Sequence, residues 1–284
     1  MKSASEALPR LVIFDLDGVI YRGRQPVEGA AALTAALRRS GVLIRFATNN
    51  SMATRATYVQ RLSGMGIEAN LDEIVTSTSG TIDHVRAHLP EVRHLLAVGA
   101  EGMLDELRGA GFEATAAADA IEPGYDGGPL AVTYDAVIAG LDPAFDYRRL
   151  AAASSALRAG ALFLATNADL LYPTSSGFLP GAGSMIAALR AASGVEPLVI
   201  GKPEPGIFTA ILERAGVDPA EALAIGDNPD SDMVAASRAG IDSILVLTGV
   251  ATESAARLLS GERRPGRVAQ DPFEVASQLG MTLS

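Results

Sequence analysis

Leu11-Val12-Ile13-Phe14-Asp15-Leu16-Asp17-Gly18-Val19-Ile20-Tyr21 decides how the rest of the chain is read. Four apolar residues in a row, two of them β-branched, predict a buried strand of a parallel sheet. The strand runs straight into Asp15 and Asp17, which as residues i and i+2 of an extended chain face the same side. Gly18 lets the chain turn away at once without a Cβ penalty. Two carboxylates held this close repel by several kcal/mol unless a cation or a proton lies between them. Taken alone, the pair fits a helix cap and a solvated loop equally well. The acid-ended strand of a P-loop ATPase is excluded, because no GxxxxGK[ST] occurs and Gly201-Lys202 is followed by Pro203. The rest of the chain has to decide.

Outward from this strand the sequence alternates between strand and helix. Residues 28–39 predict a helix stopped at Gly41, and 42–47 a strand ending at Thr48-Asn49-Asn50-Ser51. A helix over 52–63 is expected next, with Ser51 as its N-cap, followed by a short strand over 73–76. This rhythm belongs to a doubly wound α/β sheet, a Rossmann-like parallel core whose binding crevice lies at the carboxyl ends of its strands. From about residue 80 a second α/β unit interrupts it: helices over 81–88, 101–108 and 147–157, and strands over 95–98, 136–139 and 161–165. Residues 123–129 are the most turn-prone part of this block. The first rhythm resumes with a helix over 185–192 and strands over 198–200, 222–225 and 243–247. Helices over 206–215 and 231–239 alternate with them, and Phe273, Val275 and Leu279 are expected to anchor a last one. The expected domains are a catalytic core of 1–79 and 184–284 and an inserted α/β cap of 80–183.

The chain has 284 residues, 48% hydrophobic and 20% charged, ample for a sizeable core. A net charge of −10 argues against nucleic acid or an anionic membrane as partner, since phosphate backbones call for basic surface. The one basic cluster, Arg263-Arg264-Pro265-Gly266-Arg267, is read as a solvated loop. With no cysteine, disulfides, thiolate catalysis and Cys-based zinc sites are excluded. Residues 1–10 lack the apolar segment of a signal peptide, and no run of about 18 apolar residues occurs, so a cytoplasmic location is expected. Of the three histidines, His84 and His88 share a helix face without the glutamate of a zinc protease, and a solvated face is expected.

Four strand ends of the core carry polar residues: Asp15 with Asp17, Thr48 with Asn49, Lys202, and Asp227 with Asp232. Carboxylates, a hydroxyl and one ammonium in one crevice suit a hard, oxygen-liganded cation such as Mg²⁺ together with a phosphate. Asp15, Asp227 and a main-chain carbonyl would suffice for the metal, with Lys202, Thr48 and Asn49 left for the phosphate.

Asp15-Leu16-Asp17-Gly18-Val19, Thr48-Asn49-Asn50, Gly201-Lys202-Pro203 and Gly226-Asp227-Asn228-Pro229-Asp230-Ser231-Asp232, in that order, resemble the four motifs of the haloacid dehalogenase superfamily. The place of the insertion, the Thr-Asn-Asn form of the second motif and Leu179-Pro180-Gly181-Ala182-Gly183-Ser184 are similar to the subfamily IIA phosphatases, a group of nitrophenylphosphatases, nucleotidases, phosphoglycolate and glycerol-phosphate phosphatases. The resemblance covers nearly the whole chain and is weakest over about 112–130 and after about 255. It implies Asp15 as nucleophile and Asp17 as general acid and base, with a protonated Asp17 beside an ionised Asp15. It implies that Gly18, Thr48, Asn49, Asn50 and Lys202 contact the phosphoryl group. Asp15, the Asp17 carbonyl and Asp227 would hold Mg²⁺, with Asp232 behind them. Asn167, Asp169 and Gly183 are the cap residues expected to face the crevice. A small phosphorylated metabolite is the implied substrate, phosphoglycolate or glycerol phosphate ahead of nucleoside monophosphates and pyridoxal phosphate, and a homodimer is the implied assembly. Two alternatives stand at this point: phosphotransferase or mutase chemistry on the same aspartate, and a phospho-receiver module.

Overall fold

In the computed structural model, residues 8–174 and 177–283 are described; residues 1–7 and 284, part of the expected core range and of the reading of the N-terminus, lie outside them. In chain order the strands are β1 (Leu11–Phe14), β2 (Tyr21–Arg22), β3 (Gln25–Pro26), β4 (Leu43–Thr48) and β5 (Ile74–Thr76). They continue with β6 (His94–Val98), β7 (Glu113–Ala116), β8 (Ala136–Ala139), β9 (Leu162–Ala165), β10 (Leu171–Thr174) and β11 (Gly177–Pro180). The last are β12 (Leu198–Val199), β13 (Ala222–Gly226), β14 (Asp242–Val246) and β15 (Arg267–Ala269). The helices are α1 (Ala30–Arg39), α2 (Arg55–Ser63), α3 (Ser77–His88), α4 (Glu101–Gly109) and α5 (Tyr147–Arg158). After them come α6 (Ala182–Ser193), α7 (Gly206–Ala215), α8 (Val234–Ala239), α9 (Glu253–Ala256) and α10 (Pro272–Gln278).

The chain divides into two compact units, the first comprising Met1–Thr48, Arg55–Val75 and Lys202–Ser284 and the second Asn49–Thr54 and Thr76–Gly201. In the first unit a six-stranded sheet runs in the order β15-β14-β13-β1-β4-β5. β1 lies between β13 and β4 and is parallel to both; Phe14 sits opposite Ile225 and Phe46. Its four residues are at most 1% exposed, as expected of a central strand covered on both faces. Leu11 and Ile13 pack with Ile207, Phe208 and Ile211 of α7 and Ala235 and Ala236 of α8, while the Phe14 and Phe46 rings stack with centroids 6.0 Å apart. Because β1 and β13 run in register, Asp15 leaves the sheet beside Gly226, one residue ahead of Asp227.

The second unit repeats the construction with a five-stranded parallel sheet, β12-β9-β8-β6-β7, and an antiparallel hairpin of β10 and β11. Alternation along its strands separates two cores. Leu96, Val98, Val137, Ala139 and Phe163 pack against α5 and α6, and Leu95, Ala97, Ile138 and Leu164 against α3 and α4.

The structure draws the boundary differently from the sequence. α6 and β12 were expected in the core but join the second unit: β12 pairs with β9, and Ala182, Met185, Ile186 and Leu189 of α6 enter the α5 core. Ser51 does not cap a helix. Its buried hydroxyl accepts from the Leu141 N–H at 3.2 Å, and α2 starts only at Arg55. Residues 229–233 form a π turn ahead of α8, so the helix expected from 231 has two parts. The basic cluster is not merely solvated: Arg267 opens β15 and pairs with Asp242 at 3.1 Å, and Arg263 pairs with Asp230 at 2.8 Å. In α10, Val275 is the buried anchor, whereas Phe273 is 46% exposed. No helix among the described residues is long and apolar enough to cross a membrane.

Candidate active site

Every charged residue that the sequence placed at a strand end of the core lies in the first unit, at the carboxyl edge of its sheet. Asp15 follows β1, Lys202 follows Gly201, and Asp227 follows β13. Asp232 returns to this edge because the π turn brings it back under its own strand. Its Oδ2 accepts from the Asp227 N–H at 3.2 Å and the Asn228 N–H at 3.1 Å. Lys202 is 2% exposed, and its Nζ donates to Asp15 Oδ1 at 2.6 Å, to Asp232 Oδ1 at 2.5 Å and to the Ala47 carbonyl at 3.3 Å. An ammonium has three protons, and all three have an acceptor here. Lys202 thereby fixes the rotamer of Asp15 from behind.

One oxygen from each of Asp15, Asp227 and Asp232 lies within 4.8 Å of the others, an arrangement able to hold a metal ion. One ammonium against these three carboxylates leaves two negative charges uncompensated, which protons or a cation must meet. The pKa directions show the same imbalance. Burial drives Asp15 well above the carboxylate range; Lys202 opposes this, and Asp232 and Asp227 add to it. Burial and then Asp232 push Asp227 to about 7, against the Val250 N–H that donates to its Oδ2 at 2.7 Å. Lys202 is raised, because Asp15 and Asp232 outweigh the burial that opposes its charge. All-oxygen donors of this kind suit a hard divalent cation.

Asp17 differs from Asp15 in its surroundings. Its residue surface is open to solvent, yet the protein packed around its carboxyl still raises its pKa, with Arg61, a hydrogen bond from Tyr21 and Lys202 pulling the other way. Both carboxyls are shifted upward, Asp15 the more strongly of the two. Burial is the largest cause at both, and only at Asp15 do neighbouring carboxylates, Asp232 and Asp227, add to it.

Gly18 has φ +80°, and a Cβ there would collide with the Asp227 carboxylate. Its closeness to that side chain, as well as the turn, requires glycine. Thr48 is buried at the end of β4 in the first unit. Asn49 and Asn50 instead belong to the second unit. Asn49 Nδ2 donates to Asp169 Oδ2 at 2.9 Å, its carbonyl accepts from Asn167 Nδ2 at 2.8 Å, and Asn50 Oδ1 accepts from the Met52 N–H at 2.9 Å. The structure thus brings Asn49, Asn167 and Asp169 together. Gly183 lies so close to the Ala168 carbonyl that a Cβ would not fit.

Sequence reasoning missed the loop after β14. Thr248 donates to the Gly18 carbonyl at 2.6 Å, Gly249 abuts the Asp227 side chain, and Val250 supplies the N–H already described. The rule that found Asp15 and Asp227, polar residues at the carboxyl end of a parallel strand, applies to Thr248 as well. Tyr21 and Arg61 were also missed, since nothing in the sequence shows that they meet.

A doubly wound parallel sheet with paired carboxylates and a lysine at the ends of its strands defines a phosphoryl-transfer type of α/β protein. Residues 12–113 match the family model of haloacid dehalogenase-like hydrolases, and residues 199–274 a second model of the same kind. A D-glycerol 3-phosphate phosphatase of Mycobacterium tuberculosis is 35% identical over 271 residues, covering 95% of this chain and 72% of its own. A 5'-nucleotidase of Bacillus subtilis is 34% identical over 238 residues, covering 84% of this chain and 87% of its own. Acid sugar phosphatases of Staphylococcus epidermidis and related species stand at 32–34%. The solved glycerol phosphate phosphatase of M. tuberculosis in complex with magnesium superposes with a TM-score of 0.81 at 33% identity, over 95% of this chain and 76% of that one. The chain belongs to the haloacid dehalogenase-like hydrolases, among the subfamily IIA phosphatases, and is a phosphomonoesterase.

Proposed function

We propose that the protein is a Mg²⁺-dependent phosphatase that works through a phosphorylated Asp15. The observation that carries this reading is the fixation of Asp15 by Lys202 at 2.6 Å inside a carboxylate cluster. Asp15, Asp227 and the Asp17 carbonyl would hold the cation, which when bound neutralises the cluster and the phosphoryl charge. Asp232, committed to Lys202 and two backbone N–H groups, braces the site.

An Asp15 oxygen attacks phosphorus while the bond from phosphorus to the ester oxygen breaks and Asp17 gives that oxygen a proton. Asp17 then takes a proton from water as the water attacks phosphorus, releasing phosphate and restoring Asp15. Lys202 holds Asp15 in place and supplies positive charge beside the transferring group, and Thr48 and Gly18 are assigned to its oxygens. The second unit, most of it inserted in sequence between Val75 and Lys202, is assigned the role of the cap that selects substrate.

The substrate is a small phosphomonoester. Relatives named for glycerol phosphate, sugar phosphate and nucleotide stand at nearly equal identity, 33–35%, so all three classes belong in the test. Phosphoglycolate and glycerol phosphate are placed first. Phosphate release from a panel of these esters, with Mg²⁺ and with EDTA, checks the reading. Turnover lost in EDTA and restored by Mg²⁺ is expected; undiminished turnover in EDTA contradicts it.

A further inference from the structure

The loop that follows β14 grips two separate parts of the carboxylate cluster, all within the first unit. Thr248 Oγ1 donates to the Gly18 carbonyl at 2.6 Å. Two residues later the Val250 N–H donates to Asp227 Oδ2 at 2.7 Å, and the Ala251 N–H donates to the Asp227 carbonyl at 3.1 Å. The loop is itself anchored: the Leu247 N–H donates to the Ala269 carbonyl at 3.0 Å, and Arg22 Nε donates to the Thr248 carbonyl. The Val250 residue is 61% exposed, so what it gives the site is its backbone.

These bonds set directions. The Gly18 N–H donates to the Tyr21 carbonyl at 2.7 Å, so both peptide groups of Gly18 are tied, one by Tyr21 and one by Thr248. In a trans peptide the Asp17 carbonyl points opposite to the Gly18 N–H, and the tied glycine therefore fixes where that carbonyl is aimed. The two oxygens of a carboxylate turn together, so a donor on Oδ2 fixes the rotation of Asp227. Gly249 adds a steric stop, because a Cβ there, like one at Gly18, would collide with Asp227 Oδ2. Gly18 also needs glycine for its φ of +80°, but Gly249 has no positive φ, and the close approach alone requires it.

We propose that Thr248, Gly249 and Val250 form a positioning loop that aims the Asp17 carbonyl and the Asp227 carboxylate at a divalent cation. This rests on the reading of those two groups as metal ligands given above. Its consequence depends on the ion. Mg²⁺ demands near-ideal octahedral ligand directions, whereas Ca²⁺ accepts irregular ones. A loop that only kept the sheet folded would serve both ions alike, and one that sets ligand direction matters more to Mg²⁺.

The experiment measures the Kd of Mg²⁺ and of Ca²⁺ by titration calorimetry of the full chain and its Thr248→Val, Thr248→Ser and Gly249→Ala variants. Removing a group that orients a metal ligand typically weakens binding by about 10- to 100-fold. Thr248→Val is expected to weaken Mg²⁺ about tenfold and Ca²⁺ less than about threefold, with Thr248→Ser restoring the Mg²⁺ affinity. Gly249→Ala, which displaces the Asp227 carboxylate, should weaken Mg²⁺ by about 100-fold. Equal weakening of the two ions in Thr248→Val, or an unchanged Mg²⁺ affinity there, overturns the inference even if Gly249→Ala fails to fold. Asp227→Asn tests the underlying reading separately. No binding of either ion by the unaltered chain, or binding undiminished in Asp227→Asn, sinks the metal reading itself, whatever Thr248 does.

Discussion

The two units are parallel sheets of similar make with very different strand ends. In the first, β1 and β13 terminate in Asp15 and Asp227, and Lys202 joins them. In the second, β6 is followed by Gly99, β8 by Gly140 and β9 by Thr166 and Asn167, none of them charged, while β12 leads through Ile200 and Gly201 to Lys202, where the chain returns to the first unit. The same architecture supports a concentrated electrostatic strain in one place and a quiet polar edge in the other. The fold supplies a crevice, and the residues at the strand ends decide whether chemistry happens there. Gly140 shows the quiet version: a Cβ there would crowd the Ser51 and Thr166 hydroxyls and Met103, so close packing rather than catalysis claims the position.

The largest effect that would break this contrast is at Asp15. Asp15→Asn keeps the shape and removes the proposed nucleophile, and steady-state phosphate release should fall by about 10⁴-fold or more. A loss below tenfold would put Asp15 on a par with the neutral strand ends of the second unit. Lys202→Met comes next. It leaves Asp15 and Asp232 without their shared ammonium, which should cost about 3–5 kcal/mol of stability in urea unfolding and at least about 10²-fold in kcat. An unchanged unfolding midpoint would show that the carboxylates do not depend on that cation.

The third prediction concerns pH. Asp227 is raised in the folded protein from 3.8 to about 7 and is 5% exposed. A carboxyl raised by folding contributes stability that is complete below about pH 4 and lost as pH climbs through about 7, a difference on the order of 4 kcal/mol. Metal-free protein should therefore lose thermal stability over that window, Asp227→Asn should flatten the slope, and the stabilisation by Mg²⁺ should grow with pH. A midpoint shift by Mg²⁺ that is the same at both ends of the window contradicts the electrostatic reading. The smallest effect lies in the second unit. Ser51→Ala removes the acceptor of the buried Leu141 N–H and should lower stability by about 1–3 kcal/mol, with kcat kept within about threefold.

What was legible in the sequence follows from locality. The sequence Leu11–Phe14 followed by two aspartates and Gly18 carries its own strand, turn and charge problem within eight residues, and Asp227 and Lys202 repeat the pattern after other apolar strands. Periodicity could not assign α6 and β12, because a helix and a two-residue strand look alike whichever sheet they join; only the β9 pairing decides. β7, the β10–β11 hairpin and β15 are short and half-exposed or irregular in composition, so their burial pattern is weak. The Tyr21–Arg61 contact joins residues 40 apart in sequence, and no local pattern announces it. The π turn was hidden for another reason: its five residues exist to return Asp232 to Lys202, a tertiary demand laid over an ordinary helix start.

The most direct test of the central claim is to catch the phosphoryl group on Asp15. In the proposed mechanism Asp17→Asn should slow the water step, so acid quenching during turnover of p-nitrophenyl phosphate should leave a phosphorylated protein. Peptide mass analysis should place the phosphoryl group on the segment carrying Asp15, and hydroxylamine should remove it, as it does from an acyl phosphate. Release of nitrophenol and phosphate together, with no such adduct at any quench time, would mean that water attacks the substrate directly and that Asp15 is not the nucleophile.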